Sequence, residues 1–215
     1  MHRHLYSLFV VGLSILATLA YLFYIGKDFS QLTWINPQLI CLSFNAIICF
    51  FISYLFRYNF LGNITWITFI GILPALATSL VVTGRMEYWT LAVTLPIALL
   101  ADGNLHLNNI LCYGKDKRFA MLSIANSHKF AAYVYSVEMI IPYVWIGLLS
   151  MFGVLPISTV LIFLTIPLAI ANSRKVKKSV KNKSVIMTEL VKRTPYMQIG
   201  FLLLLVAGLI IGKYI

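Results

Sequence analysis

Acidic side chains are scarce in this chain. Its 215 residues hold six Asp and Glu against 17 Lys and Arg, and charges of both signs make up only 11%. A soluble domain is about a quarter charged and about half apolar. Here 60% of the residues are hydrophobic and 14% aromatic. So little charge cannot clothe a water-soluble body of this size, and the composition points to a membrane. Cysteine is sparse too. Cys41 and Cys49 lie inside one apolar block and Cys112 stands apart. No C-x-x-C spacing occurs, so neither a zinc site nor a disulfide framework has support. No Gly/Ser-rich or Pro-rich linker divides the chain, and no internal repeat stands out, so a single domain over 1–215 is expected.

What is present is a series of apolar blocks. A helix crosses a bilayer in about 20 residues, and such stretches recur at 5–25, 38–56, 63–83, 88–106, 130–150, 154–172 and 197–214. The pattern predicts an all-α integral membrane protein of seven transmembrane helices. Pro96 and Asp102 fall inside the fourth stretch; buried spans tolerate proline because neighbouring helices satisfy the freed backbone groups. The first stretch is long enough to span and no small-residue cleavage site follows it, so it reads as a span rather than a signal.

The net charge of +11 does not indicate nucleic acid, because the basic residues sit in a few gaps between apolar blocks. With a cytoplasmic N-terminus, Lys27, Arg85 and Lys213 fall outside and the other 14 basic residues fall inside. That bias predicts N-in and C-out in a multi-pass protein of the cell membrane. It also places the polar segments 107–129 and 173–196 in the cytoplasm. The second, "NSRKVKKSVKNKSVIMTELVKR" (172–193), reads first as an anchor beside anionic headgroups and second as an attractor of an anionic substrate.

Ionisable groups inside an apolar span are costly and tend to face a cavity or a partner. Glu138 lies near the middle of the fifth span; a polar cavity and a hydrogen-bonded packing role are both open for it. Asn45, in the second, reads as interhelical glue. In "LLADGNLHLNNI" (99–110), Asp102 and His106 are four apart, as are Asn104 and Asn108, so each pair shares a helix face. Asn carbonyls can ligate a hard cation, and Lys and Arg suit phosphate oxygens. That gives the Asn-Asn pair and the basic loop behind it a functional reading beside the plainer one of a helix end leaving the membrane. The opening "MHRH" lacks carboxylate or Cys support, which leaves it a weak metal motif.

The stretch from "LGNITWITFIGILPALATSLVVTG" (61–84) through "LHLNNI" (105–110) and the loop behind it resembles the UbiA superfamily of membrane prenyltransferases. The nearest likeness is to the 1,4-dihydroxy-2-naphthoate polyprenyltransferases of menaquinone synthesis. The resemblance implies a UbiA-like bundle that moves a prenyl group from a polyprenyl diphosphate to an aromatic quinone precursor, with Mg2+ held by Asp-rich motifs. The chain departs from that pattern. Where the family's second motif has paired Asp, this chain has Cys112 and Asp116, and Gly114 lies between them. Its Gly-Lys-x-Thr becomes Ala120, Met121, Leu122 and Ser123, and a further carboxylate is Asn63. The first motif is absent. Asp28, Glu87, Asp102, Asp116, Glu138 and Glu189 are all more than ten residues from one another. The family's first two spans, which carry that motif, have no counterpart here.

By that resemblance Asn108, Asn109, Lys115, Lys117 and Arg118 are candidate diphosphate-binding residues and Asp116 a candidate metal ligand, but one carboxylate with Asn carbonyls gives only a weak hold on a magnesium that arrives with diphosphate. The resemblance therefore implies a degenerate site, inactive alone. The alternatives are a chain whose partner helices replace the N-terminal pair, and a non-catalytic isoprenoid- or quinone-binding subunit of a membrane complex. Orientation is open to direct test. Alkaline phosphatase fused after Ile215 should be active and a fluorescent protein fused there dark; the reverse pattern would overturn the N-in, C-out assignment.

Overall fold

The computed structural model describes residues 15–24, 60–113, 128–179 and 186–215, together with the single positions 12, 45, 47 and 48. Among these the secondary structure is helical throughout, without a strand. Helix α1 spans Ile15–Tyr24. Helices α2 (Phe60–Ile67) and α3 (Leu73–Thr83) are joined by a π-helical segment, Thr68–Ile72. A short 3₁₀ turn, Tyr88–Thr90, leads into α4 (Leu91–Tyr113), and α5 runs over His128–Met151. A 3₁₀ segment, Ile157–Thr165, continues into α6 (Ile166–Ser179), and α7 covers Ile186–Tyr214.

Local chemistry explains several of these boundaries. Gly84 ends α3 at φ 70°, a left-handed conformation that an L side chain resists, and its N–H bonds to the Leu80 carbonyl at 2.9 Å. Lys177 and Lys178 fall in the last turn of α6, where cations suit the negative end of the helix dipole.

Four helical stretches are long and apolar enough to cross a membrane: Ile64–Thr83, Ala132–Met151, Ile157–Ser179 and Arg193–Tyr214. They match the third, fifth, sixth and seventh expected spans. The second expected span lies outside the described residues except at 45, 47 and 48. Helix α4, the fourth, has 23 residues and a length of about 34 Å, but its C-terminal half is polar. The helix runs through Asn108 and Asn109 to Tyr113, past the expected end at 106. Likewise α6 and α7 take up most of the basic segment expected as a loop. The cause is the same in both places: apolar runs mark where lipid ends, not where helical hydrogen bonding ends.

The bundle has an apolar core crossed by buried polar side chains, and an apolar outer surface. Large apolar side chains such as Val144, Leu148, Leu164, Leu168 and Leu203 are exposed, as suits a surface facing lipid tails. Within, hydroxyls cross-link helices. Thr165 donates to the Ile162 carbonyl, which leaves the Tyr143 hydroxyl to donate to Thr165 at 2.8 Å. The Tyr143 ring meets Phe201 edge-on, centroids 5.2 Å apart. By the same logic Tyr135 of α5 donates to Thr194 of α7 at 3.3 Å.

Helix α4 packs most extensively against α5, and the two run antiparallel. Pro96 has no N–H, so the carbonyl of Ala92 loses its helical donor. Trp145 Nε1 of α5 supplies one at 3.1 Å. Where water is absent, such a substitute donor keeps a proline-bearing helix intact.

Helix α7 packs on the 3₁₀ segment through Gly208 and Gly212, a small-xxx-small pair. The Ser158 hydroxyl donates to the Gly208 carbonyl at 2.6 Å. A Cβ on Gly208 would lie 2.7 Å from both the Ser158 carbonyl oxygen and Thr159 Cα, where only backbone could yield. Gly208→Ala is therefore expected to cost about 1–3 kcal/mol, read as a lower melting temperature in detergent. Gly200→Ala would meet only Thr165 Cγ2 at 3.5 Å and should hold or raise it. Equal melting of the two variants would show that the close contact at Gly208 does not matter.

Candidate functional site

The most polar point of the interior lies between α4 and α5. Asp102 and His106, one helical turn apart on α4, face Glu138 of α5. His106 Nδ1 lies 2.7 Å from Glu138 Oε2 and 3.9 Å from Asp102 Oδ2. One ligand atom from each of the three residues falls within 4.8 Å of the others. Asp102 is 2% exposed, His106 4% and Glu138 9%. Asp102 Oδ1 is buried and has no hydrogen-bond partner.

The sequence builds this contact from three local choices. The i,i+4 spacing stacks Asp102 and His106 on one face. Gly103 lies between them in the helical register, against the Glu138 and Met139 side chains of α5. A Cβ there would stand 2.3 Å from Met139 Cε and 3.5 Å from Glu138 Oε2. On α5, Glu138 is placed among Tyr135, Met139 and Pro142, all facing inward. Nearby, the Gln198 side chain of α7 donates to the Leu100 carbonyl and fixes the third helix against α4.

The electrostatics are demanding. Two ionised carboxylates carry two negative charges, and one imidazolium offsets one of them. In a low-dielectric interior a net charge is expensive, so a proton or a cation must balance the remainder. His106 Nδ1 is the atom nearest both acids. With a hydrogen on Nδ1, the imidazole donates to Glu138.

The polar face continues in helical register. Asn109 lies three residues beyond His106 and seven beyond Asp102, so its position falls on the same face of α4, one turn nearer the end. The cluster thus sits about 10–16 Å from the end of α4, joined to that end by a polar stripe.

The structure gives α4 a helical backbone at Asn108 and Asn109; their side chains lie outside the described residues. So do Lys115, Asp116, Lys117 and Arg118 in full. Asn45 is helical and exposed. Glu138, for which a cavity and a packing role were both open, is packed and hydrogen-bonded to His106. The union of Glu138 with the Asp102–His106 pair was not expected. Its signal was present in the spacing: Asp102 lies 11 residues before the end of α4 and Glu138 ten after the start of α5, equal depths in an antiparallel pair.

Magnesium, implied by the family resemblance, does not fit this cluster. Mg2+ demands octahedral oxygen ligands, whereas the central donor here is an imidazole nitrogen.

Two further features flank the cluster. An apolar groove of about 420 Å³ runs along α5, lined by Ser136, Ile140, Val144, Trp145 and Leu148 among others. At the end of α6, Arg174, Lys175, Lys177 and Lys178 are exposed while Asn172, Ser173, Val176 and Ser179 are buried. The basic segment is thus one face of an amphipathic helix. The exposed Arg193–Glu189 pair at 2.6 Å adds little stability.

Removing His106 would strand two acids in the interior. His106→Ala is expected to cost about 3–5 kcal/mol, and adding Glu138→Gln should recover part of that loss. Thermal melts of the two single variants and the pair would read the coupling; strictly additive losses would show that the two side chains do not interact.

No family model matches the chain, and neither a curated protein nor a solved structure matches it.

Proposed function

We propose that this chain is a UbiA-like membrane protein that binds a polyprenyl diphosphate or quinone-type lipid and does not itself transfer the prenyl group. In this reading it lies in the cell membrane with seven spans, N-in and C-out. The observation that carries it is the engagement of Asp102 and Glu138 with His106 in the interior. These acids lie on the two helices that flank the predicted diphosphate loop in the sequence, and they are packed around an imidazole rather than presented at a loop.

The chemistry follows from charge. An allylic diphosphate ionises only if its leaving group is neutralised, and magnesium held by several carboxylates does that best. Asp116 alone cannot assemble such a site. Lys115, Lys117 and Arg118 suit phosphate oxygens without metal, and Asn108 and Asn109 add amide donors. Binding survives in this arrangement; ionisation does not. The basic loop after α4 suits a charged head and the apolar groove on α5 suits a greasy tail, the two surfaces an amphiphilic lipid requires.

The purified chain in nanodiscs should bind a radiolabelled polyprenyl diphosphate, with unlabelled lipid competing. Replacing Lys115, Lys117 and Arg118 together by Ala should weaken binding at least about tenfold. With Mg2+ and dihydroxynaphthoate added, no prenylated product should form. Product formation would refute the non-catalytic reading, and absence of binding would refute the lipid reading.

A further inference from the structure

The geometry points to a binding site for a borderline divalent transition ion, Zn2+ in the first instance, formed by Asp102, His106 and Glu138. It lies beyond the lipid reading above and does not depend on it.

Three observations converge. The first is the donor set. One imidazole nitrogen and two carboxylate oxygens from adjacent helices lie within 4.8 Å of one another. Zn2+ takes His nitrogen at about 2.0–2.1 Å and carboxylate oxygen at about 2.0–2.2 Å. Tetrahedral ligands at those lengths stand a little over 3 Å apart, so a small side-chain adjustment opens the His106–Glu138 contact and closes the Asp102 side. The second is charge. A neutral imidazole with two carboxylates carries two negative charges, and a divalent cation cancels both. The third is the unpartnered Asp102 Oδ1, buried in a residue only 2% exposed. A buried acceptor without a donor is costly, and Asp102 could meet this need by turning either oxygen to the metal.

The nitrogen donor selects against Mg2+ and Ca2+, which prefer all-oxygen shells. On binding, the proton held between His106 and Glu138 leaves to solvent, so uptake releases protons. Three protein ligands leave a fourth position for water or a lipid head atom. The ion would tie α4 to α5 beside Gly103.

The test uses the full chain without an affinity tag, stripped with chelator in detergent, then given Zn2+ or Mg2+ and desalted. Elemental analysis should find about one Zn2+ per chain. Zn2+ should raise the melting temperature and Mg2+ should not. Glu138→Gln keeps the side chain's shape and hydrogen bonding but removes its charge, and should weaken Zn2+ binding more than about tenfold. His106→Ala should abolish it, and His106→Cys, which restores a zinc ligand, should recover part. Replacing His2 and His4 by Ala should change nothing. If the wild-type chain holds no Zn2+ after desalting, or if Glu138→Gln binds as well as wild type, the proposal fails. Should His106→Ala not fold, Glu138→Gln and the wild-type stoichiometry still decide the matter.

Discussion

The contact between His106 and Glu138 is the constraint around which the described bundle is arranged. Two acids and one imidazole share a space that excludes water, and such a group survives only if each member is held by another. That requirement sets the depth at which α4 meets α5. It is met beside Gly103, where an added Cβ would run into the Met139 side chain of α5. It also aligns the polar face of α4, so that the line from Asp102 through His106 reaches Asn109 at the helix end.

The same shortage of water governs the rest of the interior. Each buried hydroxyl with a resolved partner hands its proton to a neighbouring helix or to its own preceding turn. Tyr143 and Tyr135 each bond to a threonine that is itself anchored to a carbonyl, so α5 is tied at one level to the 3₁₀ segment before α6 and at another to α7. Glycines 208 and 212 let α7 lie against that 3₁₀ segment. In lipid, where apolar surface gives no preference for helix over tail, these close and polar contacts hold the helices together.

The sequence made the helical class and four of the expected spans legible because apolar runs of membrane length are hard to mistake. It placed Asp102 and His106 on one face through their spacing. It did not reveal that Glu138 joins them, because a single sequence says nothing directly about which helices touch; only equal distances from the connecting loop hinted at it. Helix ends were misjudged for a physical reason. Asn108, Asn109 and the lysines after Asn172 look like loop material by polarity, yet backbone hydrogen bonding continues through polar residues once they leave the hydrocarbon. The small-xxx-small pair at 208 and 212 lies within an apolar block, where composition alone does not mark it as a packing contact.

Trp145 belongs to two parts of the molecule at once. Its ring forms a wall of the groove on α5, and its indole N–H caps the carbonyl that Pro96 leaves bare on α4. A tail lying in the groove would press on that ring and so lean on the weakest rung of the helix that carries Asp102 and His106. The outer groove and the helix that carries the inner acids thus share one side chain, through which a load on the outer face would reach α4.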